Sequence, residues 1–393
     1  MSAPRVLVYV QHLLGSGHLR RAALLSEAMV CAGLDVTLVS GGLPVPGLRA
    51  SGVRMVQLPP VAAADMHFKS LVDAQGQAVD VQLQDARRDQ LLALFNDLRP
   101  QALVIELFPF GRRQMRFELL PLLDAARTAQ PAPVIVSSVR DVLGGSRDPE
   151  RQGRMLAYFE QYFDHLLVHG DPALLPFERT FAPADRIGAR LHYTGYVVAP
   201  VPTAQAGAVV GAPGRGEVLV SAGGGAVGRG LLEAAIRARP LTALAALCWR
   251  VLVGAAMGPS ACDALRRLAQ QCAGDGIIVE PNRTDFSALL GRCRLSVSQA
   301  GYNTVMETLQ AGARAVMVPF AGGAETEQGL RAQVLAEQHW IDIVEESALT
   351  PQTLAEAINR AAARPPLQPG AIRLDGAETS ARLIAGWIQA VAP

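Results

Sequence analysis

A chain of 393 residues, half of them apolar and 18% charged, has material for two buried cores. Its formal net charge of +1 lacks the basic excess of a general nucleic-acid binder, so no nucleic-acid partner is expected. The five cysteines, Cys31, Cys248, Cys262, Cys272 and Cys293, are odd in number and show neither C-x-x-C spacing nor a zinc grouping, so they read as buried thiols of a reducing compartment.

Residues 1–10 hold a short apolar run of strand length without the longer apolar core of a signal peptide. No window reaches the roughly 18 apolar residues of a membrane span. A soluble, cytoplasmic protein is expected. Residues 5–10 read as a valine-rich strand, 19–32 as an amphipathic helix stopped by Gly33, and 35–40 as a second strand. This βαβ opening predicts a parallel sheet. Helices over 85–98, 116–129 and 151–162 alternate with strands over 102–107, 133–139 and 165–169, which makes about five strands by residue 170.

Residues 198–216 are rich in Ala, Pro and Gly without a period and read as a linker. Strands over 217–221, 248–253, 276–280, 295–298 and 315–318 then alternate with helices over 230–238, 260–273, 285–291, 304–311 and 327–337. Helices over 351–363 and 378–391 close the chain. The expected division is a Rossmann-like domain over 1–200, a linker over 201–215, a second Rossmann-like domain over 216–372 and a terminal helix within 373–393. Ligands of such sheets sit beyond the carboxyl ends of the strands, so a site between two such halves is expected.

Four constellations at those strand ends could carry chemistry. In Gly15-Ser16-Gly17-His18, Gly15 and Gly17 let backbone approach an anion such as a diphosphate at a helix start, and His18 titrates near neutrality, as a base should. A helix-capping histidine is the plain alternative. The Gly-Lys-Ser/Thr ending of a P-loop is missing. Gly223-Gly224-Gly225-Ala226-Val227-Gly228 formally fits G-x-G-x-x-G, but the next strand ends in Leu252-Val253-Gly254 without the ribose-binding acid of a dinucleotide site. Gly223, Gly224 and Gly225 survive as a diphosphate cradle, or as a tight turn.

The third run, Ser298-Gln299-Ala300-Gly301-Tyr302-Asn303-Thr304, leads into a helix carrying Glu307. Its small residues leave the first helical amides open to phosphate, and the Glu307 carboxylate could accept hydrogen bonds from ribose hydroxyls. The fourth, Pro319-Phe320-Ala321-Gly322-Gly323 with Glu325, Glu327 and Gln328, could read sugar hydroxyls, although acids at a helix start are also ordinary placement.

The third and fourth runs resemble the donor-binding segment of glycosyltransferase family 28, which has Ser-x-x-Gly, Thr-x-x-Glu, a Val-Pro-Phe loop and a paired polar motif ending in Gln. Here these are Ser298, Gly301, Thr304, Glu307, Val318-Pro319-Phe320 and Glu327-Gln328, and the N-terminal glycine loop with His18 is similar too. The resemblance implies an α/β GT-B fold of two Rossmann-like domains with parallel sheets facing across a cleft, the first on the acceptor side and the second on the donor side. It implies a terminal helix packing back on the first domain. It also implies an inverting, metal-independent transfer from a nucleotide-diphosphate sugar, with uracil favoured as the base. Glu307 would hold the ribose, the helix at Gly301 the diphosphate, and Gly322, Gly323, Glu325, Glu327 and Gln328 the donor sugar. Glu327-Gln328 departs from the relatives' Gln-Gln pair, which leaves the donor sugar open.

On this reading His18 deprotonates the acceptor hydroxyl, with Asp141 or Asp171 as the next candidate bases, and Glu106, Arg140, His169 and Asp171 lie on the acceptor side. Asp65 and His67 are further polar groups there. Arg112-Arg113-Gln114-Met115-Arg116 reads as a solvated basic face that could also meet anionic lipid headgroups. No cofactor is expected beyond the UDP-sugar as co-substrate. The acceptor is left open, a lipid-linked one at the inner membrane face among the options. The competing readings are a nucleotide-sugar epimerase or hydrolase on the same fold, and a two-lobed non-catalytic ligand-binding protein.

Overall fold

The structure is a computed structural model that describes residues 3–64, 70–144, 148–200, 212–223, 227–322, 326–366 and 372–391. The chain divides into two compact units, one of Met1–Val198 with Arg373–Pro393 and one of Ala199–Ile372.

In chain order the first unit has β1 (Arg5–Val10), α1 (Gly17–Cys31), β2 (Asp35–Ser40), β3 (Arg54–Gln57), β4 (Ala62–Ala63), β5 (Leu71–Val72), α2 (Val81–Leu98), β6 (Ala102–Glu106), α3 (Arg116–Thr128), β7 (Val134–Arg140), α4 (Pro149–Tyr162), β8 (His165–His169) and β9 (Leu191–Tyr193). The second has β10 (Val218–Ser221), α5 (Arg229–Ala238), β11 (Trp249–Val253), α6 (Gly258–Ala273), β12 (Ile277–Pro281), α7 (Phe286–Leu290), β13 (Leu295–Ser298), α8 (Tyr302–Gln310), β14 (Ala315–Met317), α9 (Glu327–Glu337), β15 (Asp342–Ile343) and α10 (Pro351–Ala363). The last helix, α11 (Gly376–Val391), belongs to the first unit.

The first unit is built on a seven-stranded parallel sheet of order β3-β2-β1-β6-β7-β8-β9, with β4 and β5 as a separate antiparallel pair. Its central strands are continuous apolar runs because helices cover both faces. Leu7, Tyr9, Leu103 and Ile105 point to one face, against Leu91 and Phe95 of α2, Leu119 and Leu122 of α3 and Phe159 of α4. Val6, Val8, Val104 and Val136 point to the other, against Ala22 and Leu25 of α1 and Ala381, Ile384 and Ile388 of α11. The second unit has a six-stranded parallel sheet of order β12-β11-β10-β13-β14-β15.

Several elements differ from the sequence reading. Helix α2 begins four residues early because Asp80 caps it, its Oδ1 accepting the Leu83 amide at 2.8 Å. It ends where Arg99 turns left-handed, before Pro100. Strands β3, β9 and β15 and the β4–β5 pair had no sequence signal. All are short, and β3 is a largely exposed edge whose Arg54–Gln57 lacks an apolar run. The cysteines are free as expected, but Cys31 and Cys272 are exposed rather than buried.

Candidate active site

In the first sheet the order of connection reverses between β1 and β6. The loops leaving these strands diverge to opposite faces, which opens a crevice at their carboxyl ends. His18 enters it from the first turn of α1, and Glu106 enters as the last residue of β6. His18 Nδ1 lies 2.6 Å from Glu106 Oε1, and the same carboxylate oxygen accepts from Arg21, one turn along α1. Arg140, the last residue of β7, donates from Nη2 to His18 Nε2 at 3.1 Å. A guanidinium has only donors, so Nε2 must be the bare nitrogen and Nδ1 carries the ring proton, which it donates to Glu106. Arg112 donates from Nε to the carbonyl of Gln11 at 2.5 Å, and its charge is felt at both His18 and Glu106.

Burial, with Arg140 and Arg112 adding to it, pushes the His18 imidazole down to about 3 against the pull of Glu106. His18 is therefore neutral at physiological pH, and it does not titrate near neutrality as its sequence setting suggested, because burial disfavours the charged ring. Burial would raise Glu106, but His18, Arg21 and Arg112 hold it below the usual carboxylate range. The result is a neutral imidazole, 16% exposed at its side chain, held in one tautomer by a fully buried carboxylate. That is the orienting logic of a general base and its acidic partner.

A second buried network supports this edge. Arg87 grips Glu118 with Nε at 2.8 Å and Nη2 at 2.7 Å, Tyr9 donates to Glu118, and Arg87 Nη2 also reaches Gln11 Oε1 at 2.9 Å. Gln11 in turn presents the carbonyl that holds Arg112. The other acceptor-side candidates make different contacts. His169 sits between the hydroxyls of Ser138 (2.7 Å) and Thr194 (2.9 Å). Asp141 is fully buried and accepts the Val142 amide at 2.9 Å, and Asp171 accepts the Ala173 amide at 2.9 Å. Gly15 is exposed and Gly17 is the first residue of α1, whose N-cap, Ser16, makes no side-chain capping bond.

In the second sheet the connections reverse between β10 and β13, where Ser221 lies opposite Ser298. The loop after β10 starts at Gly223 (φ +71°), whose carbonyl accepts Asn282 Nδ2 at 2.9 Å. It ends at Gly228 (φ +96°), where a Cβ would meet the Ala222 Cβ at 2.5 Å and Gln299 Nε2 at 3.1 Å. Only glycine lets this loop lie against Gln299 of the loop after β13. Ala300, the next residue of that loop, is fully buried. Helix α8 then opens with Gly301 as its N-cap, no side-chain capping bond, and open space where a Gly301 Cβ would stand. The first amides of a helix have no partners within it, so this end of α8 has the makings of an anion site.

Asn303, Thr304 and Glu307 are half-buried along the first turns of α8. The loop after the adjacent β14 carries Gly322 and leads to α9, where Gln328 Oε1 accepts the Phe320 amide at 3.1 Å. Glu327 Oε2 stands 3.8 Å from Nη2 of the buried Arg331, whose guanidinium lies over the Tyr302 ring at 5.3 Å, so α9 is anchored on α8. The sheet thus brings Ser298 to Glu307, and Gly322, Glu327 and Gln328, onto neighbouring strand ends. Gly224, Gly225, Gly323 and Glu325, with Asp65 and His67, lie outside the described residues.

Sequence reading missed Arg21, the Arg87–Glu118 pair, Ser221 and Arg331. It misplaced Arg112, which turns inward while Arg113 and Arg116 stay exposed. The signals were slight. Arg21 is spaced i+3 from His18 on one helix face, and Met115, fully buried, breaks the basic run.

Two doubly wound parallel sheets of this order make the GT-B fold of glycosyltransferases, and the chain superposes on such structures over nearly its whole length. It covers 99% of its own residues and all of a MurG from Acinetobacter baumannii, with a TM-score of 0.60 at 15% identity. Against a UDP-glucosyltransferase from Polygonum tinctorium it covers 100% of this chain and 95% of that one, with a TM-score of 0.62 at 14% identity. Residues 224–375 match the glycosyltransferase family 28 C-terminal domain, so the second unit carries that domain. The UDP-N-acetylglucosamine–N-acetylmuramyl-(pentapeptide) pyrophosphoryl-undecaprenol N-acetylglucosamine transferase of Granulibacter bethesdensis is 30% identical over 265 residues, 67% of this chain and 62% of that protein. The chain thus spans less than two thirds of that relative, and about a third of the same-named enzyme of Rippkaea orientalis.

Proposed function

We infer that the chain is a glycosyltransferase moving a sugar from a UDP-sugar to an acceptor hydroxyl with inversion and without a metal. The observation that carries this is the neutral, Glu106-oriented His18 at the reversal of the first sheet, in a chain whose second unit carries the family 28 domain. An acceptor hydroxyl gives its proton to His18 Nε2 as its oxygen bonds to the anomeric carbon. The anomeric C–O bond breaks, and its electron pair leaves on the nucleotide diphosphate. One such displacement inverts the anomeric centre and needs no nucleophile from the protein. The positive end of the α8 dipole, beside the loop after β10, offsets the leaving charge. This dipole, and a sequence without Asp-x-Asp, support metal independence. Asn303, Thr304 and Glu307 are assigned to diphosphate and ribose, and Glu327 and Gln328 to the donor sugar.

The Granulibacter relative is named for N-acetylglucosamine transfer to a lipid-linked acceptor, so UDP-N-acetylglucosamine is the first donor to test. A lipid-linked acceptor would bring the protein to the inner membrane face as a peripheral enzyme. No described helix is long and apolar enough to cross a membrane.

Calorimetric titration with UDP, TDP and GDP tests the donor half. UDP should bind selectively, and Glu307→Ala should weaken it. His18→Ala should keep UDP binding while turnover falls about 10²–10⁴-fold. Equal binding of all three nucleotides, or full turnover by His18→Ala, would sink the corresponding assignment.

A further inference from the structure

The proposed reaction uses the Nε2 lone pair of His18, and in this structure that lone pair is covered. Arg140 Nη2 donates to it at 3.1 Å. The placement is built into the sheet. Glu106 ends β6 opposite Ser138 of β7, and β7 runs on to Arg140. The guanidinium therefore starts two residues beyond Glu106 on the neighbouring strand and reaches His18 from the side opposite the carboxylate. Each ring nitrogen is thus engaged, Nδ1 by Glu106 and Nε2 by Arg140. The charged groups facing the imidazole are Glu106, Arg140 and Arg112, with Arg21 on the far side of Glu106.

We propose that Arg140 is a gate on His18, covering Nε2 until a bound acceptor displaces it, so that the sugar is not passed to water. The proposal rests on the glycosyltransferase reading above. The reaction it guards against is hydrolysis. A water oxygen would bond to the anomeric carbon, the C–O bond to the diphosphate would break with its electron pair leaving on UDP, and the water proton would go to Nε2. Free sugar and UDP would result. A water molecule brings only its hydrogen bonds to the contest with the guanidinium. An acceptor also brings binding surface, and part of that binding energy can be spent on moving Arg140 aside. Arg140 is in this sense a positioning residue, acting through His18.

The test uses the full chain and Arg140→Met, which keeps an unbranched stem and loses every donor, beside Arg140→Lys, which keeps a cation and donors. UDP and free sugar released from UDP-N-acetylglucosamine are measured with no acceptor present. UDP affinity is measured by calorimetry. The His18 imidazole is titrated by NMR, its signal assigned by loss in His18→Gln. Arg140→Met should raise acceptor-free hydrolysis about tenfold to a hundredfold, as expected for losing one charge-assisted hydrogen bond. It should move the His18 titration to higher pH and leave UDP affinity unchanged, with Arg140→Lys staying near the parent.

Hydrolysis that is unchanged or lower in Arg140→Met, with UDP still bound, overturns the gate and leaves the transferase reading standing. An unmoved His18 titration overturns the contact itself. A parent chain that binds no UDP overturns the transferase reading, and the gate falls with it. Should Arg140→Met fail to fold, Arg140→Ala carries the same expectations.

Discussion

Replacing Glu106 with glutamine keeps the shape of the site and removes one charge. Glu106 is 1% exposed, and its Oε1 serves both His18 and Arg21, itself 2% exposed. Without the carboxylate, the buried Arg21 loses the counter-charge that Glu106 supplies. Breaking a buried pair from one side costs about 3–5 kcal/mol. At roughly 2–4 °C per kcal/mol for a domain of this size, the first unit should melt about 6–20 °C lower. The chemical effect is separate. The carboxylate accepts from Nδ1 and so holds the proton there, leaving Nε2 as the basic nitrogen. An amide can donate to Nδ1 instead and stabilise the wrong tautomer. Loss of that control, with loss of the charge that would stabilise an imidazolium, should lower turnover about 10²–10⁴-fold while UDP affinity holds. Calorimetric melting and donor turnover of Glu106→Gln at one pH read both effects. A melting point within a degree or two of the parent refutes the buried-pair argument. Lowered stability with turnover intact refutes the orienting role and leaves Glu106 as scaffold only.

Two further outcomes are expected. Burial pushes His18 and His169 to about 3 and His165 to about 4, from 6.5. Below that ordinary value the unfolded chain binds protons that the folded chain refuses. The contribution of these groups is therefore full above about pH 6.5 and is lost as pH falls toward 3. Urea unfolding should show lower stability at pH 5 than at pH 7.5, with a smaller drop in His169→Gln, and a flat profile between those pH values would contradict the burial of these rings. Ile384→Ala in α11 removes a side chain buried among Ala22, Leu25 and the valines of β1. It should cost about 2–5 kcal/mol in urea unfolding of the first unit while UDP binding by the folded chain persists.

The central strands were legible because strands buried on both faces are written as unbroken apolar runs, as in Arg5–Val10 and Ala102–Glu106. The glycine-led helix starts at His18 and Gly301 were legible for a related reason, since small residues between an apolar strand and a periodic helix mark a strand end. The edges were not. Arg54–Gln57 pairs through its backbone and leaves its side chains largely in solvent, so nothing in its letters marks a strand. Nor were the partners of the buried charges. Glu106 stood out as an acid ending an apolar strand, but Arg21 looked like any polar residue of an amphipathic helix, and Arg112 like part of a basic surface. What turns Arg112 inward is its left-handed backbone (φ +58°), together with the burial of Met115 three residues later. Pairings about ninety residues apart, such as His18 at the start of α1 with Glu106 at the end of β6, are set by sheet order, which no local spacing encodes.

The membership of α11 in the first unit has a consequence for biosynthesis. The unit's sheet is complete once residue 198 has left the ribosome, but the valine face of β1, β6 and β7 receives its second covering helix only after the whole second unit has been made. At roughly 5–20 residues per second, that face waits on the order of ten to forty seconds, sheltered by α1 and the apolar residues of 45–53. The second unit is continuous and can close its core in one pass. The first becomes whole only once α11 has followed the second unit out, so a ribosome that stalls between the two strands an otherwise finished sheet with a greasy flank showing.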